Sequence, residues 1–459
     1  MKYDKLQLIF APHNYGQLAY ENDIQHQPPF GILSLASYIN REFPNMELDV
    51  IDGRLISEEK LLCKIDSDII GFSIWFSNYR NTLDIIKKIK LIKPNIKVVL
   101  GGPHASFLAN RIMNNRPFID YIIPRDGEIP LKRLLSDQRP DKIPGLYYRK
   151  NSKVCFFETE ANSINLDEIP IPNLKLLYPE YNWHSSPNSH AMAAFPIAGI
   201  RGCLRKNRCE YCSIHFSGYR TMTPTRYWEQ INCLHEKYGI NFFFETGDIF
   251  SPKYLSDLSS IDNHHNISMR IYSYPGLLKE KHLVLLKNIG VNNIFMGIES
   301  VLVWRNKYRR KYKSDYSIQS VIDEINMLGS AGINVIPSFI LGMPGEDDDT
   351  LRGNTDLISK LSKLDNVKEI TVSLALPLPG SQYFDLCISN NEIVQKYAKL
   401  DNSSILSNDD INIYLLSELF IDSYTNVRYS NLCNIIVKLK PMLGKGMACW
   451  GSTRPYLGN

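Results

Sequence analysis

The chain has 459 residues, 44% of them hydrophobic and 22% charged, which is ordinary for a globular protein of two or three domains. Its 52 basic residues nearly balance its 48 acidic residues, so no basic excess points to a nucleic-acid partner. No stretch of about 18 apolar residues predicts a membrane span, and the N-terminus lacks the pattern of a signal peptide. We therefore expect a cytoplasmic protein with no membrane partner.

Short apolar runs alternate with helical patterns through the first part of the chain. Between the first two runs, Ile32, Leu35 and Ile39 recur at helical spacing. This alternation predicts a parallel sheet with intervening helices, and hence a doubly wound, Rossmann-like α/β domain over residues 1–150. The predicted strands lie at residues 6–10, 48–51, 69–73, 98–100 and 121–123.

In doubly wound sheets, ligands bind beyond the carboxyl ends of the strands. Several small residues occur at those ends here, and they let the backbone approach a large flat ligand. Glycine and proline are also ordinary loop residues, and the GxGxxG pattern of dinucleotide-binding folds is missing. The candidate binding residues are Pro29, Gly31, Ser73, Trp75, Gly101, Gly102, His104, Gly127 and Glu128.

Residues 151–195 are predicted to form a linker, which is extended where prolines recur between 165 and 173. A second set of strands with intervening helices predicts a partial (β/α)6 barrel over residues 196–384. Residues 385–459 are predicted to form a short helical region and a tail. The predicted barrel strands are residues 196–200, 241–245, 269–273, 293–296, 335–341 and 369–374.

A loop directly after the first barrel strand carries Cys203, Cys209 and Cys212, spaced C-x5-C-x2-C. Thiolates at such spacing are typical ligands of iron-sulfur clusters and of zinc. Because only three ligands are local, an iron of a bound cluster would keep one position open for another molecule. A structural zinc site completed by a distant residue, and a chance grouping, are the alternatives. We expect most of the loop's basic side chains to be solvated; they are Arg201, Arg205, Lys206 and Arg208.

The cysteine loop resembles the cluster loop of radical S-adenosylmethionine (SAM) enzymes, with Tyr211 at the aromatic position before the last cysteine. Its spacing departs from the C-x3-C-x2-C that is usual in that family. The N-terminal strand ends, taken in order, resemble the cobalamin-binding domain that precedes the cluster domain in one large class of these enzymes. The Asp-x-His-x-x-Gly motif of methionine synthase-type cobalamin domains is absent, so we expect no histidine ligand to cobalt.

The resemblance implies a [4Fe-4S] cluster held by the three cysteines, SAM at its open iron, and cobalamin in the N-terminal domain. It places adenine against the backbone of Ile340 and the side chain of Leu376, and Trp75 beneath the corrin, although Trp75 also suits a core or lid position. Carboxylates and hydroxyls suit the amino group and ribose of SAM, and arginine suits its carboxylate, but each also suits a structural contact. The implied SAM contacts are Glu245, Asp248, Arg270, Tyr272, Glu299 and Ser300.

By resemblance, the reaction is a methylation of an unactivated carbon in a small molecule. A 5′-deoxyadenosyl radical would remove hydrogen, methylcobalamin would supply the methyl group, and a donor such as a flavodoxin or ferredoxin would supply the electron. Three alternatives stay open: a cobalamin-dependent cyclase or rearranging enzyme, a radical enzyme with an empty cobalamin domain, and a metal- or cluster-binding regulatory protein. The sequence does not identify the substrate.

Overall fold

Over its described residues, the computed structural model contains two large sheets, each covered by helices, and one small strand pair. None of the helices in the part of the chain that it describes is long and apolar enough to cross a membrane. The described residues are 3–13, 27–157, 163–181, 194–205, 208–214, 218–247, 249–262, 266–302, 317–400, 406 and 408–439.

The first sheet has the strand order β7-β6-β5-β4-β3-β1-β2-β8. Neighbouring strands in the part β5-β4-β3-β1-β2-β8 are parallel, whereas β6 is antiparallel to both of its neighbours, β5 and β7. The chain places β2 on one side of β1 and β3 on the other side, so the strand order reverses between β1 and β3. A doubly wound sheet has its ligand-binding crevice at such a switch point. The predicted Rossmann-like fold is confirmed. The strands are β1 (Lys5–Phe10), β2 (Glu47–Asp52), β3 (Ile69–Ser73), β4 (Lys97–Gly101), β5 (Tyr121–Ile122), β6 (Tyr147–Lys150), β7 (Lys153–Phe156) and β8 (Leu177–Tyr178).

In the described part of the chain, five α-helices connect the strands of the first sheet. Their apolar faces are buried at helical spacing, as Ile32, Leu33, Ala36 and Ile39 show in the first of them. They are α1 (Phe30–Glu42), α2 (Glu58–Lys64), α3 (Tyr79–Ile92), α4 (Pro103–Asn115) and α5 (Glu128–Leu135).

The segment predicted as a linker packs against the first sheet over its described residues. β7 pairs with β6 at one edge, and β8 pairs with β2 at the other, with Leu177 beside Val50. Leu166, Ile169 and Leu174 are buried. Unpaired edge strands and exposed apolar side chains are both unfavourable in water, which explains why this segment lies on the sheet instead of running free. The domain boundaries themselves stay predictions.

The second sheet is parallel and follows chain order, β16-β15-β14-β13-β12-β9. Sequential parallel strands joined by helices give an open part of a β/α barrel, so the predicted partial barrel is confirmed. Its strands are β9 (Phe195–Ile197), β12 (Phe242–Glu245), β13 (Ser268–Ser273), β14 (Val291–Glu299), β15 (Asn334–Leu341) and β16 (Thr371–Leu374). A separate antiparallel pair is formed by β10 (Ile200–Arg201) and β11 (Arg220–Thr221).

Four of the barrel helices in the described residues begin with a capping side chain. The Ser317 side chain accepts a hydrogen bond from the Ser320 amide at the start of one helix, and Asp347 accepts one from Thr350 at the start of another. The barrel helices are α6 (Pro224–Tyr238), α7 (Pro252–Ser259), α8 (Leu283–Asn288), α9 (Ile318–Ser330) and α10 (Asp348–Leu361).

The C-terminal region is helical, as predicted, and comprises α11 (Gln382–Ser389), α12 (Asn391–Leu400), α13 (Ile413–Tyr424) and α14 (Tyr429–Leu439). The last predicted segment, residues 444–459, lies outside the described residues.

Asp409 ties this region to the helices of the first sheet. Its buried carboxylate accepts hydrogen bonds from Arg116 Nε at 2.7 Å, from Asn115 Nδ2 at 2.9 Å, and from the Tyr79 hydroxyl. Burial by itself would raise the pKa of Asp409, but the hydrogen bonds from Tyr79 and Arg116 outweigh it and leave the pKa lowered. The ionised carboxylate therefore stabilises the fold.

We predict that Asp409→Asn lowers the free energy of unfolding by about 3 kcal/mol, because a buried, hydrogen-bonded charge is removed from its partners. Urea unfolding at neutral pH measures this change. Since the pKa is lowered in the folded state, the contribution is present above the ordinary aspartate pKa of about 3.9 and is lost as pH falls through the folded-state value. The difference between wild type and variant should therefore shrink in acid.

The neighbouring Asp410→Asn is the control. Asp410 pairs with Arg80 at 2.7 Å in a more exposed position, so its loss should cost less than about 1 kcal/mol. Equal effects of the two substitutions would contradict the role assigned to Asp409.

Candidate functional site

A cavity of about 870 Å³ lies at the carboxyl ends of the first sheet's strands, where they face the barrel. The first sheet contributes the strand ends of β1, β3, β4 and β5. The barrel contributes residues near its two edge strands, and the C-terminal region contributes Tyr414. The barrel side of the lining consists of Pro196, Ala198, Arg201, Thr246, Leu376 and Leu378.

All the predicted cobalamin contacts except His104 line this cavity: Pro29, Gly31, Ser73, Trp75, Gly101, Gly102, Gly127 and Glu128. The glycines leave room for a flat ligand, since a Cβ at Gly31 would meet no atom within 4 Å. Gly102 has φ of +93°, and a Cβ there would lie 2.8 Å from the backbone of Ile74, so only glycine suits this turn. The described wall therefore fits a large planar cofactor.

The structure places His104 outside the cavity lining. It is buried, with its ring centroid 4.7 Å from that of Tyr79. Burial lowers the pKa of His104 to about 4, so the ring is neutral at neutral pH. His13 lines the cavity instead, with Nδ1 2.8 Å from the Ser77 hydroxyl oxygen.

Arg201, Asp126 and Glu128 form a group of paired charges in the cavity wall. Arg201 pairs with Asp126 at 3.0 Å and with Glu128 at 2.6 Å, and Arg220 pairs with Asp126 at 2.8 Å. Glu128 was predicted to contact cobalamin, but its carboxylate is bound by Arg201. Most of the loop's basic residues were expected to be solvated, and this pairing makes Arg201 an exception. The acidic pattern after β5 and the arginine before the cysteines were the only signals in the sequence.

Cys203, Cys209 and Cys212 lie on the loop between β10 and β11, and all three are partly exposed thiols. The Cys212 amide donates a hydrogen bond to the Cys209 carbonyl oxygen at 3.0 Å. In the described part of the chain, no three His, Cys, Asp or Glu side chains are gathered closely enough to hold a metal ion. The thiols therefore share one loop without already meeting at one point. Their number and chemistry fit a cluster with one open iron.

Glu245 holds the base of this loop. Its two carboxylate oxygens accept hydrogen bonds from the Gly199 amide at 3.1 and 3.0 Å, and one also accepts from the Gly247 amide at 2.9 Å. Burial raises the pKa of Glu245 to about 7, even though these amides favour the carboxylate. Glu245 was predicted to contact SAM, whereas in the structure its oxygens bind the backbone.

The loop also contacts the carboxyl ends of the barrel strands, where SAM was predicted to bind. The Tyr211 hydroxyl donates a hydrogen bond to Glu299 Oε1 at 2.6 Å. Glu299 is the last residue of β14 and has φ of +67°, an uncommon conformation for this residue type. The structure thus brings together two residues that the sequence proposed separately.

The other predicted SAM contacts have varied surroundings. Ser300 is buried, and its hydroxyl accepts a hydrogen bond from Asn354 Nδ2 at 3.0 Å. The Arg270 guanidinium lies 4.1 Å from the centroid of the Phe244 ring, and the Tyr272 ring also packs against Phe244. The remaining three are Ile340, which is half-buried in β15, Leu376, which lines the cavity, and Asp248, which lies outside the described residues.

Two protein-family models match separate parts of the chain. Residues 25–135 match the B12 binding domain, and residues 197–358 match the Radical SAM superfamily. The chain belongs to the cobalamin-binding radical SAM enzymes. The cofactors of this family are a [4Fe-4S] cluster, SAM and cobalamin.

The chain is also similar to individual proteins of known name. It is 29% identical over 397 residues to the uncharacterized methyltransferase PH0819 of Pyrococcus horikoshii, covering 82% of each chain. It is 22% identical over 342 residues to the anaerobic magnesium-protoporphyrin IX monomethyl ester cyclase of Cereibacter sphaeroides, covering 70% of this chain and 53% of the cyclase.

The chain shares its fold with a solved structure. That structure is the radical SAM methyltransferase TsrM of Kitasatospora setae with cobalamin and a [4Fe-4S] cluster bound, and the superposition has a TM-score of 0.63 at 15% identity. The similarity covers 86% of this chain and 75% of TsrM. At this identity the comparison establishes the order and fold of the domains.

We predict that Gly202→Ala prevents most cluster assembly, because a Cβ at Gly202 would lie 1.6 Å from the Gly218 carbonyl oxygen, and Gly202 has φ of +89°. Relief of this clash must move the strand pair that carries the cysteine loop. Iron and sulfide content per chain after anaerobic reconstitution measures the effect.

Gly218→Ala is the matched control. Gly218 also has a positive φ, +82°, but a Cβ there would meet no atom within 4 Å. It should therefore lose about 1–2 kcal/mol of stability from backbone strain and still assemble the cluster. Normal cluster content in Gly202→Ala would show that this close approach does not hold the loop.

Proposed function

We propose that this chain is a C-methyltransferase that acts on an unactivated carbon of a small-molecule or natural-product intermediate. The observation that carries the proposal is the shared cavity: the cobalamin-type wall of the first sheet faces Pro196, Thr246 and Leu376 of the barrel. A cofactor held by one sheet would therefore be open to a substrate held by the other. The similarity to PH0819 along 82% of both chains supports methyl transfer over other reactions of the family.

The three cysteines would hold the cluster. When bound, the cluster, SAM and cobalamin together supply a carbon-centred radical and a transferable methyl group. Tyr211, between Cys209 and Cys212, hydrogen-bonds Glu299 at the end of β14. We infer that this contact fixes the second half of the loop against the strand ends where SAM would lie. The position of the cluster relative to SAM would then not depend on the loop alone.

The cavity wall would hold the corrin and keep water from the reacting carbon. Gly31, Gly101 and Gly102 give the ligand access to the backbone of the first sheet. The wall also contains many apolar side chains, including Phe30, Leu376 and Leu378. Water exclusion matters for this chemistry because it prevents side reactions of reactive intermediates.

We further propose that a flavodoxin- or ferredoxin-like protein supplies the electron, in the cytoplasm. Arg205 and Arg208 are on the cysteine loop, and Arg208 Nη2 donates a hydrogen bond to the Ile214 carbonyl oxygen. Such positive charge would attract an acidic donor. The cytoplasmic location is supported by the cysteines, since no disulfide joins those in the described part of the chain.

A second candidate function is ring closure or rearrangement without methyl transfer. It is favoured by the similarity to the magnesium-protoporphyrin cyclase over 70% of this chain. The two candidates differ in what happens to SAM. A methyltransferase leaves S-adenosylhomocysteine, whereas a cyclase leaves only products of SAM cleavage.

We expect the protein, reconstituted anaerobically with iron, sulfide and hydroxocobalamin, to form both 5′-deoxyadenosine and S-adenosylhomocysteine from SAM when a strong reductant is added. Chromatography of the quenched mixture quantifies both. Cys212→Ala should abolish 5′-deoxyadenosine, because the cluster loses a ligand. Cys63→Ala should not, because Cys63 is an exposed residue of α2.

The outcomes separate the candidate functions. Formation of 5′-deoxyadenosine with no S-adenosylhomocysteine would overturn methyl transfer and favour the cyclase. Formation of neither product in a cluster-loaded protein would contradict both.

A further inference from the structure

The segment after β5 and the base of the cysteine loop are joined by a group of four charged side chains. Arg201 contacts Glu128 Oε1 at 2.6 Å and Asp126 Oδ1 at 3.0 Å. Arg220 contacts Asp126 Oδ2 at 2.8 Å. We call Asp126, Glu128, Arg201 and Arg220 the interdomain bridge. Its two positive and two negative charges balance, so the group can be withdrawn from water without leaving a net charge.

Both arginines lie where the cysteine loop begins and ends. Arg201 in β10 is directly opposite Arg220 in the antiparallel strand β11. Gly202 and Cys203 follow Arg201 immediately, and the loop with the other two cysteines returns to β11. Whatever fixes this strand pair therefore also fixes the two ends of the loop.

The carboxylates of the bridge lie on the cavity side. Asp126, Gly127 and Glu128 all line the cavity, as does Arg201. The Glu128 side chain is 4% exposed and that of Arg201 is 24% exposed, so solvent screens this contact less than it screens a surface ion pair. The carboxylates of the interdomain bridge thus lie in the cavity wall, and its arginines lie at the two ends of the cysteine loop.

Arg220 adds a third attachment. Its Nη1 donates a hydrogen bond to the Ile164 carbonyl oxygen at 3.0 Å, in the segment between the two sheets. The strand pair is therefore held by both the first sheet and the connecting segment. A planar guanidinium that makes several hydrogen bonds at fixed angles transmits position better than a lysine, whose ammonium group is a flexible point charge.

We propose that Arg201 is a positioning residue that couples occupation of the cavity by a corrin to the stability of the cluster on the cysteine loop. A corrin against residues 126–128 would order the carboxylates, and the carboxylates would order Arg201 and the loop. Coupling between two sites is reciprocal, so a bound cluster would raise corrin affinity by the same factor. The inference rests on the cofactors of the family and does not require that methyl transfer occurs.

The test measures how fast a chelator removes iron from the cluster, anaerobically and without SAM, in protein with and without hydroxocobalamin. We expect bound corrin to slow iron removal by about fivefold or more in wild type, the lower range of typical coupling between sites. In Arg201→Gln the ratio should fall close to one. Arg201→Lys, which keeps the charge but not the planar fork, should give an intermediate ratio.

Arg226→Gln is the matched control. Arg226 Nη2 donates a hydrogen bond to the Ile169 carbonyl oxygen at 2.8 Å, and Nη1 pairs with Glu229. This arginine also joins the barrel to the connecting segment, but it does not line the cavity. Its variant should keep the wild-type ratio. A loss of the ratio in both variants would mean that general loosening is responsible, and would overturn the specific role of Arg201.

A companion measurement checks reciprocity and folding. Hydroxocobalamin affinity, followed by corrin absorption, should be higher in cluster-loaded than in cluster-free protein, and Arg201→Gln should remove that difference. If Arg201→Gln does not fold, Glu128→Gln is nearly isosteric and should also reduce the ratio. A ratio near one in wild type, or an unchanged ratio in both bridge variants, would overturn the proposal. Failure to form S-adenosylhomocysteine would contradict the methyltransferase function alone.

Discussion

The parallel strands of two sheets present their carboxyl ends to one cavity, and this constraint determines the rest of the site. Parallel strands collect their ligand-binding loops at one edge. The edge of the first sheet offers small residues such as Gly31 and Gly102, and the edge of the barrel carries the cysteine loop. Arg201 joins the two edges through Asp126 and Glu128. The cavity wall and the cysteine loop are therefore one connected structure.

The sequence predicted well those features that follow from local rules. Strand and helix periodicity located both sheets, and eight of the nine residues that were chosen because ligands bind at strand ends line the cavity. Contacts between distant segments have no such local signal. Arg201 meets Glu128 across 73 positions, and Tyr79 meets Asp409 across 330. The position of Tyr414 in the cavity wall also had no local signal, because it depends on the C-terminal region folding back onto the first sheet.

The barrel edge shows how one residue type can suit two roles. A carboxylate at the end of β12 is compatible with binding an ammonium group, but Glu245 accepts hydrogen bonds from Gly199 and Gly247 and so supports the loop backbone. Ser300 is likewise engaged by Asn354. Glu299, in contrast, is reached by Tyr211 from the loop itself. All three side chains thus already have hydrogen-bond partners within the protein, and their contacts with SAM stay predictions.

In the proposed arrangement, the cavity wall holds cobalamin close to the cluster on the cysteine loop. The most direct measurement is electron paramagnetic resonance of a single sample that holds cob(II)alamin and the reduced cluster. We expect a magnetic interaction between the two spins, seen as faster relaxation of the cobalt signal than in protein that holds cob(II)alamin alone. A spectrum equal to the sum of the two single-cofactor spectra, with unchanged relaxation, would contradict it.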